Sequence, residues 1–518
     1  MVNTKNKKIK ILLFLVFFFT LGFLLAHWWV KNYVDTFLTE KLPPHFELIY
    51  SDLDINLLSS SIVLHNPSFK IKNKDSLKPL AYYKLETFHL NNIVYWDLLF
   101  NETLYIKTVS LKKPKLQYYP YKQAHQKKTK TQTGEKGIKT IKFDKLHITN
   151  GSILVKKQNS DSTKLSISNF ELTVLGSKIN LQHGEQTPLT YNSYNLELKN
   201  LILDSNDYET FNIDHINASK KTWKIERLQI IPKYDKKELS SQISKERDYI
   251  NLTIPSINLK FPDFIFKENR LEIAVKSAEI TAPRLEVYRD KLLPDDLSFK
   301  QLYSATLRNL NFNFEINEIE IKNGFISYAE LVDPYKKAGE LFFNKVDATI
   351  KDLSNLKDEK KTTIKIQSEL MGEAPLILNW NFDVNNASDT FEVLGSIKNL
   401  PAQILNPFFR PNLNAMAEGT LEEMYFTFYG NNIESQGEMK MKYEDFKFKI
   451  LRKNNSQLNK FLTAVGTLFM NDGSKTNAEG YRFGQIETKR NVNKSFFNYL
   501  WINVKSGLVS TLTGNGEK

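Results

Sequence analysis

The chain has 518 residues, room for two to four ordinary domains or one long repetitive one, and its 41% hydrophobic and 25% charged residues exclude a disordered chain. It has no cysteine, which removes disulfides, thiolate metal sites and cysteine nucleophiles together. The net charge of +13 is local: four lysines precede the first apolar segment and residues 122–140 carry six lysines against one glutamate, so no nucleic-acid-binding face is expected.

Ile11 to Val30 is an apolar run without a fully charged side chain, long enough at about 1.5 Å per residue to cross a hydrocarbon core of roughly 30 Å. Lys5, Lys7, Lys8 and Lys10 precede it, and Trp28 and Trp29 stand where an interfacial aromatic belt would lie. The positive-inside rule then predicts a cytoplasmic N-terminus (1–10), a single-pass anchor (11–30) and a body on the far side of the membrane. A cleaved signal peptide fits less well, because the apolar run continues past Gly22 with no Ala-x-Ala after it. A buried core helix is poorer still, because apolar residues surround the whole circumference. Within the connecting stretch 31–47, Val34 to Leu42 reads as a juxtamembrane helix stopped by Pro43-Pro44.

From about residue 48 to 400 apolar and polar residues alternate, as in Phe170-Glu-Leu172-Thr-Val174 and Leu376-Ile-Leu378-Asn-Trp380-Asn-Phe382. Period two predicts strands with one apolar face. A ten-residue frame recurs at 62–71, 109–118, 146–155, 278–287 and 319–328: two alternating apolar positions, a corner pair holding Gly or Pro, and two more. Its third and eighth positions differ by an odd number, so one straight strand would put them on opposite faces. A corner must intervene. Asn150-Gly151 and Asn323-Gly324 predict two-residue hairpins that set Ile148 opposite Ile153 and Ile321 opposite Ile326. Pro67, Pro114 and Pro283 predict a bulge or wider bend. The stretches 122–140, 235–248 and 354–363 read as solvated loops.

Helical spacing returns at Leu458, Phe461, Leu462, Val465, Leu468 and Phe469, and again at Phe496, Phe497, Leu500, Trp501, Val504, Leu508 and Leu512. Both helices are expected to pack on the last strands. The predicted fold is mainly β: an elongated, curled, repetitive sheet, groove-like or taco-like, over 48–400, then a C-terminal β region with amphipathic helices over 401–518.

A one-faced sheet must bury its apolar side against helices, a second sheet, or something that is not protein. Helical segments are scarce between 48 and 400, so an apolar trough able to hold acyl chains is one outcome. Its candidate lining is Ile148, Ile153, Val155, Ile280, Leu285, Ile321, Ile326 and Tyr328.

The stretch NNIVYWDLLFNETLYIKTVSLKKPKLQYY (91–119) resembles the repeat of the AsmA family of envelope proteins, a group related to TamB-like proteins. The likeness continues through FDKLHITNGSILV and INEIEIKNGFISYAEL. LPAQILNPFFRPNLNAMAEGTLEEMYFTFYGNN (400–432) and GEMKMKYEDFKFKILRK (437–453) are similar to the C-terminal part of a large AsmA-like group labelled a domain of unknown function. The resemblance implies one inner-membrane helix, a periplasmic β-groove, and a role in outer-membrane biogenesis that includes phospholipid transport, with envelope proteins as possible partners.

No chemistry competes with that reading. Eight histidines are scattered from His27 to His215 without a His-x-His or His-x-x-x-His pair, and no Gly-x-Ser-x-Gly elbow occurs. No cofactor is expected and an enzyme is not. The alternative is a structural or assembly factor with an ordinary closed β core, acting on outer-membrane proteins through its surface.

Overall fold

The computed structural model describes residues 4–40, 42–43, 45–73, 79–120, 138–158, 160–181, 189–267, 270–356, 360–451 and 476–513, without the side chains of residues 4–16, 19, 99, 266, 267, 448, 450 and 513. The chain is mainly β, 59% strand and 16% helix. It divides into two compact units, Met1–Asp204 with Asp214–Lys220, and Ser205–Ile213 with Lys221–Lys518.

The first unit opens on one uninterrupted helix, Thr4–Glu40. The juxtamembrane helix expected from Val34 is therefore its continuation, since neither Gly nor Pro stands between Val30 and Val34 to break the period. Among the described residues no helix is long and apolar enough to cross a membrane. The anchor expected at 11–30 lies partly outside the described residues, because the side chains of 11–16 and Phe19 are not among them. Farther along, Val30, Val34 and Leu38, spaced by one turn, pack on the strand residues Leu53, Ile55 and Leu64.

Antiparallel pairing predominates, with parallel pairing where the frame repeats. Strands Thr103–Lys112 and Lys115–Tyr118 run parallel to Thr140–Lys156. In the second unit Arg270–Thr281 and Arg284–Asp290 run parallel to Asn313–Leu331. Each pair sets two copies of the frame side by side in phase, so that Val109 pairs with Leu146 and Leu116 with Ile153, Ala278 with Ile319 and Leu285 with Ile326. Parallel neighbours need a long crossover connection, and the basic stretch 122–140 falls in the first of these. Its residues 122–137 lie outside the described residues.

The two hairpins expected at Asn150-Gly151 and Asn323-Gly324 are not formed. Each pair sits inside one continuous strand, Thr140–Lys156 or Asn313–Leu331, at a β-bulge. A type I′ turn needs positive φ at both central residues, whereas only Asn150 (φ 53°) and Asn323 (φ 53°) have it. One left-handed residue makes a bulge, and Asn tolerates that conformation. Asn66, Lys113 and Ala282, at the same place in the proline copies, are left-handed too, so the bends expected there are present. Gly151 has a different task from the turn role: a Cβ on it would stand 2.3 Å from the Phe170 ring that crosses it.

The bulge resolves the parity problem. Directly paired residues share a face. Gly151 pairs with Phe170 and Ile148 with Leu172, and Phe170 and Leu172 alternate on one face, so Ile148 and Ile153 point the same way. The same logic through Gly324–Val346 and Ile321–Ala348 unites Ile321 with Ile326.

In the second unit the strands from Thr362 to Lys489 close over a core of Phe382, Val393, Phe428, Met439 and Ile486, with Phe496 and Tyr499 of the C-terminal helix Phe496–Thr513 inserted. Helices Tyr303–Arg308 and Asn406–Leu413 complete the unit's C-terminal half. The apolar helix face expected at the C-terminus is corrected in part. Phe496 and Leu512 are buried and Leu500, Val504 and Leu508 half-buried, but Phe497 and Trp501 are exposed. The innermost stripe is instead Tyr499, Asn503, Gly507 and Thr511. Polar residues serve there because they find partners: Asn503 Oδ1 accepts from the Ser435 and Thr488 hydroxyls and the Thr511 hydroxyl donates to the Gly507 carbonyl, while beside the stripe Ser506 and Ser510 accept hydrogen bonds from the backbone N–H groups of Glu487 and Gln485. The helix expected at 458–469 lies outside the described residues. The loop expected at 235–248 contains a short helix, Lys236–Gln242, whose Asp235 side chain and Glu238 form a reciprocal capping box over a buried Leu239.

Candidate functional site

Register assembles the apolar positions of the first unit into rows that cross seven strands. Leu53, Leu64, Phe88, Leu111, Ile148, Leu172 and Leu196 are successive cross-strand partners. Beyond the line of bulges a second row runs Leu48, Phe69, Tyr83, Leu116, Ile153, Ile167 and Leu201. A parallel row flanks each, one through Ile62, Val109 and Leu146, the other through Tyr118, Val155 and Leu165. Six gaps of about 4.8 Å make each seven-strand row roughly 29 Å long. The opposite face is mainly polar, as the row Asp54, Val63, His89, Ser110, His147, Thr173 and Asn195, apolar only at Val63, illustrates.

Cover is uneven. Leu53, Ile55 and Leu64 are buried beneath the N-terminal helix, and Ile106, Val109 and Phe143 form a second buried cluster that shares Ile62 and Phe88 with the first. Farther from the helix, Leu111, Ile148, Ile153, Val155 and Leu172 are only half-buried. Among the described residues the only helices of this unit are Thr4–Glu40 and the short Tyr95–Phe100. The apolar surface is thus continuous from Val30, Val34 and Leu38 on the helix to the middle of the sheet.

The eight residues expected to line a trough are strand residues divided between the two units. Ile148, Ile153 and Val155 lie together in the first unit. Ile280, Leu285, Ile321, Ile326 and Tyr328 lie together in the second, Ile280 paired with Ile321 and Leu285 with Ile326, and all eight are half-buried. The flanks are placed differently. Lys7, Lys8 and Lys10 have side chains outside the described residues, while Trp28 and Trp29 are exposed, Trp29 stacked on Tyr33 at 5.7 Å. The partners Leu53, Leu64, Phe88, Leu172 and Leu196 were missed by the sequence reading, although their alternation was visible, because which strands are neighbours is a non-local property. The stripe Val30, Val34, Leu38 was legible as one-turn spacing.

Charged side chains of the first unit meet along the line of bulges and where helix meets sheet. At the bulge line Glu86 is held down at about 2 by hydrogen bonds first from Lys112 and then from Lys113, the latter at 2.7 Å. Where helix meets sheet, the Tyr50 hydroxyl donates to Asp35. Burial first, and then that bond, push Tyr50 from 10 up to about 12. A phenol whose folded value is raised contributes stability that is complete below the unfolded value near 10 and is lost as pH rises through about 12. Thermal melts followed by circular dichroism are expected to lose stability between about pH 10 and about pH 12, and Tyr50→Phe should reduce that alkaline loss.

Among the described residues no group of three or more His, Cys, Asp or Glu side chains is placed to hold a metal ion. The fold and the register define a mainly β protein whose long bulged strands gather apolar side chains on one face. The chain matches no protein-family model, and no curated protein matches it.

Proposed function

We propose that this chain is a membrane-anchored, non-enzymatic protein of a Gram-negative cell envelope that binds or transfers phospholipid along its apolar β face. The observation that carries the reading is the apolar surface running unbroken from Val30, Val34 and Leu38 into rows that its own unit leaves half-covered. Each methylene removed from water contributes about 0.8 kcal/mol. Some ten methylenes along a row therefore supply roughly 8 kcal/mol before the cost of ordering the chain. The exposed Phe17, Phe18, Leu21, Leu24, Leu25, Trp28 and Trp29 support an inner-membrane anchor, with the N-terminus cytoplasmic and the bulk periplasmic. The resemblance to AsmA-family repeats supports a place in outer-membrane biogenesis.

Photo-crosslinkers test this in cells. Placed at Ile148, Ile153, Ile326 or Tyr328 they are expected to capture phospholipid or lipopolysaccharide, and at the polar-face positions His147 and Glu320 they are not. Capture confined to the polar-face positions would sink the proposal.

A second reading, a structural or assembly factor, draws on the closed core around Val393, Phe428 and Ile486, each fully buried by protein. It expects no lipid to co-purify and no crosslink at any of these positions.

A further inference from the structure

The apolar face of the second unit changes character over three consecutive rows. Leu252, Leu285, Ile326 and Phe343 form one; Ile250, Val287, Tyr328 and Leu341 the next; Asp248, Arg289, Glu330 and Gly339 the third. In the third row Arg289 grips Asp248 through Nε and Nη2, both at 2.7 Å. The Tyr328 hydroxyl donates to Glu330, and burial first and Glu330 next push that phenol upward, so it stays a donor. One layer farther, Glu246 pairs with Lys291 and, at 2.7 Å, with Lys494, which also meets Asp295 at 2.9 Å. That outer cluster is balanced, whereas the third row carries two carboxylates against one guanidinium.

Helix Asn406–Leu413 brings one more group to this row. A Cβ on Gly339 would stand 2.6 Å from Cγ of Asn412. Gly339 is the direct partner of Glu330, so the Asn412 carboxamide lies over the same face as Glu330, Arg289 and Asp248. Asn412 is 5% exposed, and neither its Nδ2 nor its Oδ1 has a hydrogen-bond partner among the described residues. A buried carboxamide with donor and acceptor both unmatched carries a desolvation penalty that a polar ligand group would relieve.

We infer that this row is the head-group site of an amine-bearing lipid. The ammonium sits beside Glu330, a head-group oxygen accepts from Asn412 Nδ2, and the acyl chain follows Leu285, Ile326 and Phe343. Excess negative charge selects the cation, because a purely anionic head would meet Asp248 and Glu330 without a free counter-charge. This inference rests on the lipid reading above.

The test offers the full-length chain, purified in detergent, equal amounts of phosphatidylethanolamine and phosphatidylglycerol with identical acyl chains, and reads bound lipid by native mass spectrometry. The wild type is expected to enrich the ethanolamine lipid at least about tenfold. Glu330→Gln and Asn412→Leu should each cut the enrichment to about twofold or less with total lipid unchanged. Asn412→Leu exchanges an unmatched amide for an apolar group of similar volume, so its circular dichroism should match the wild type; if it does not, Glu330→Gln decides alone. Equal retention of both lipids by the wild type, or variants that keep its preference, overturns the head-group site and leaves the trough standing. Retention of no lipid by any form overturns both.

Discussion

Phe428→Ala is expected to cost about 3 to 5 kcal/mol of unfolding free energy in the second unit, read as a loss of the denaturation midpoint with an unchanged slope. Phe428 is fully buried, with Phe426 stacked on it at 6.0 Å and Phe391 edge-on at 6.3 Å. Neighbours so placed cannot collapse into the space without disturbing the C-terminal helix, since Phe391 also meets Phe496 at 5.3 Å and Tyr499 at 5.5 Å. Gly507 shows how closely that helix sits: a Cβ on it would approach a Met439 methyl carbon to 2.8 Å. A loss under about 1 kcal/mol would mean that the core is looser than this packing implies.

The contrast between Phe428 and Ile153 marks how far the sequence could be read. Leu376, Leu378, Trp380 and Phe382 alternate just as Ile153 and Val155 do, and in both places period two correctly announced a strand with one apolar face. What separates them is whatever returns to cover that face. For Trp380 it is Phe496, stacked at 4.4 Å from more than a hundred residues away in sequence. No local pattern encodes that return. The corner of the repeat was legible for a similar reason only in part. An odd offset demands a change of face, and both a hairpin and a bulge supply one. The choice lay in the φ of a single residue after Asn150, which pairing with Phe170 decides. The capping box at Asp235 and Glu238 is legible in the sequence, but the charges that surround it also fit a solvated loop. The head-group row was invisible beforehand, since Asp248, Arg289, Glu330 and Asn412 become neighbours only through register and a helix that packs on Gly339.

Ile153→Asp is expected to behave in the opposite way to a substitution in the closed core. Ile153 is half-buried between Leu116 and Ile167, on the part of the face that no described helix of its unit covers. A carboxylate there can keep part of its hydration, so the cost to folding should stay near about 1 kcal/mol and not reach the several kcal/mol of an ion sealed in protein. An acyl chain on the same row has no such escape, because it would have to lie against a charge in a row otherwise free of them. Lipid captured by a crosslinker at Ile148 should therefore fall by about tenfold or more, the equivalent of about 1.4 kcal/mol of lost binding. Both quantities are measured on one variant, by denaturation and by crosslinking. If the unit unfolds outright, the face around Ile153 is an ordinary closed core and the scaffold reading stands. If folding and capture are both unchanged, lipid does not travel along this row.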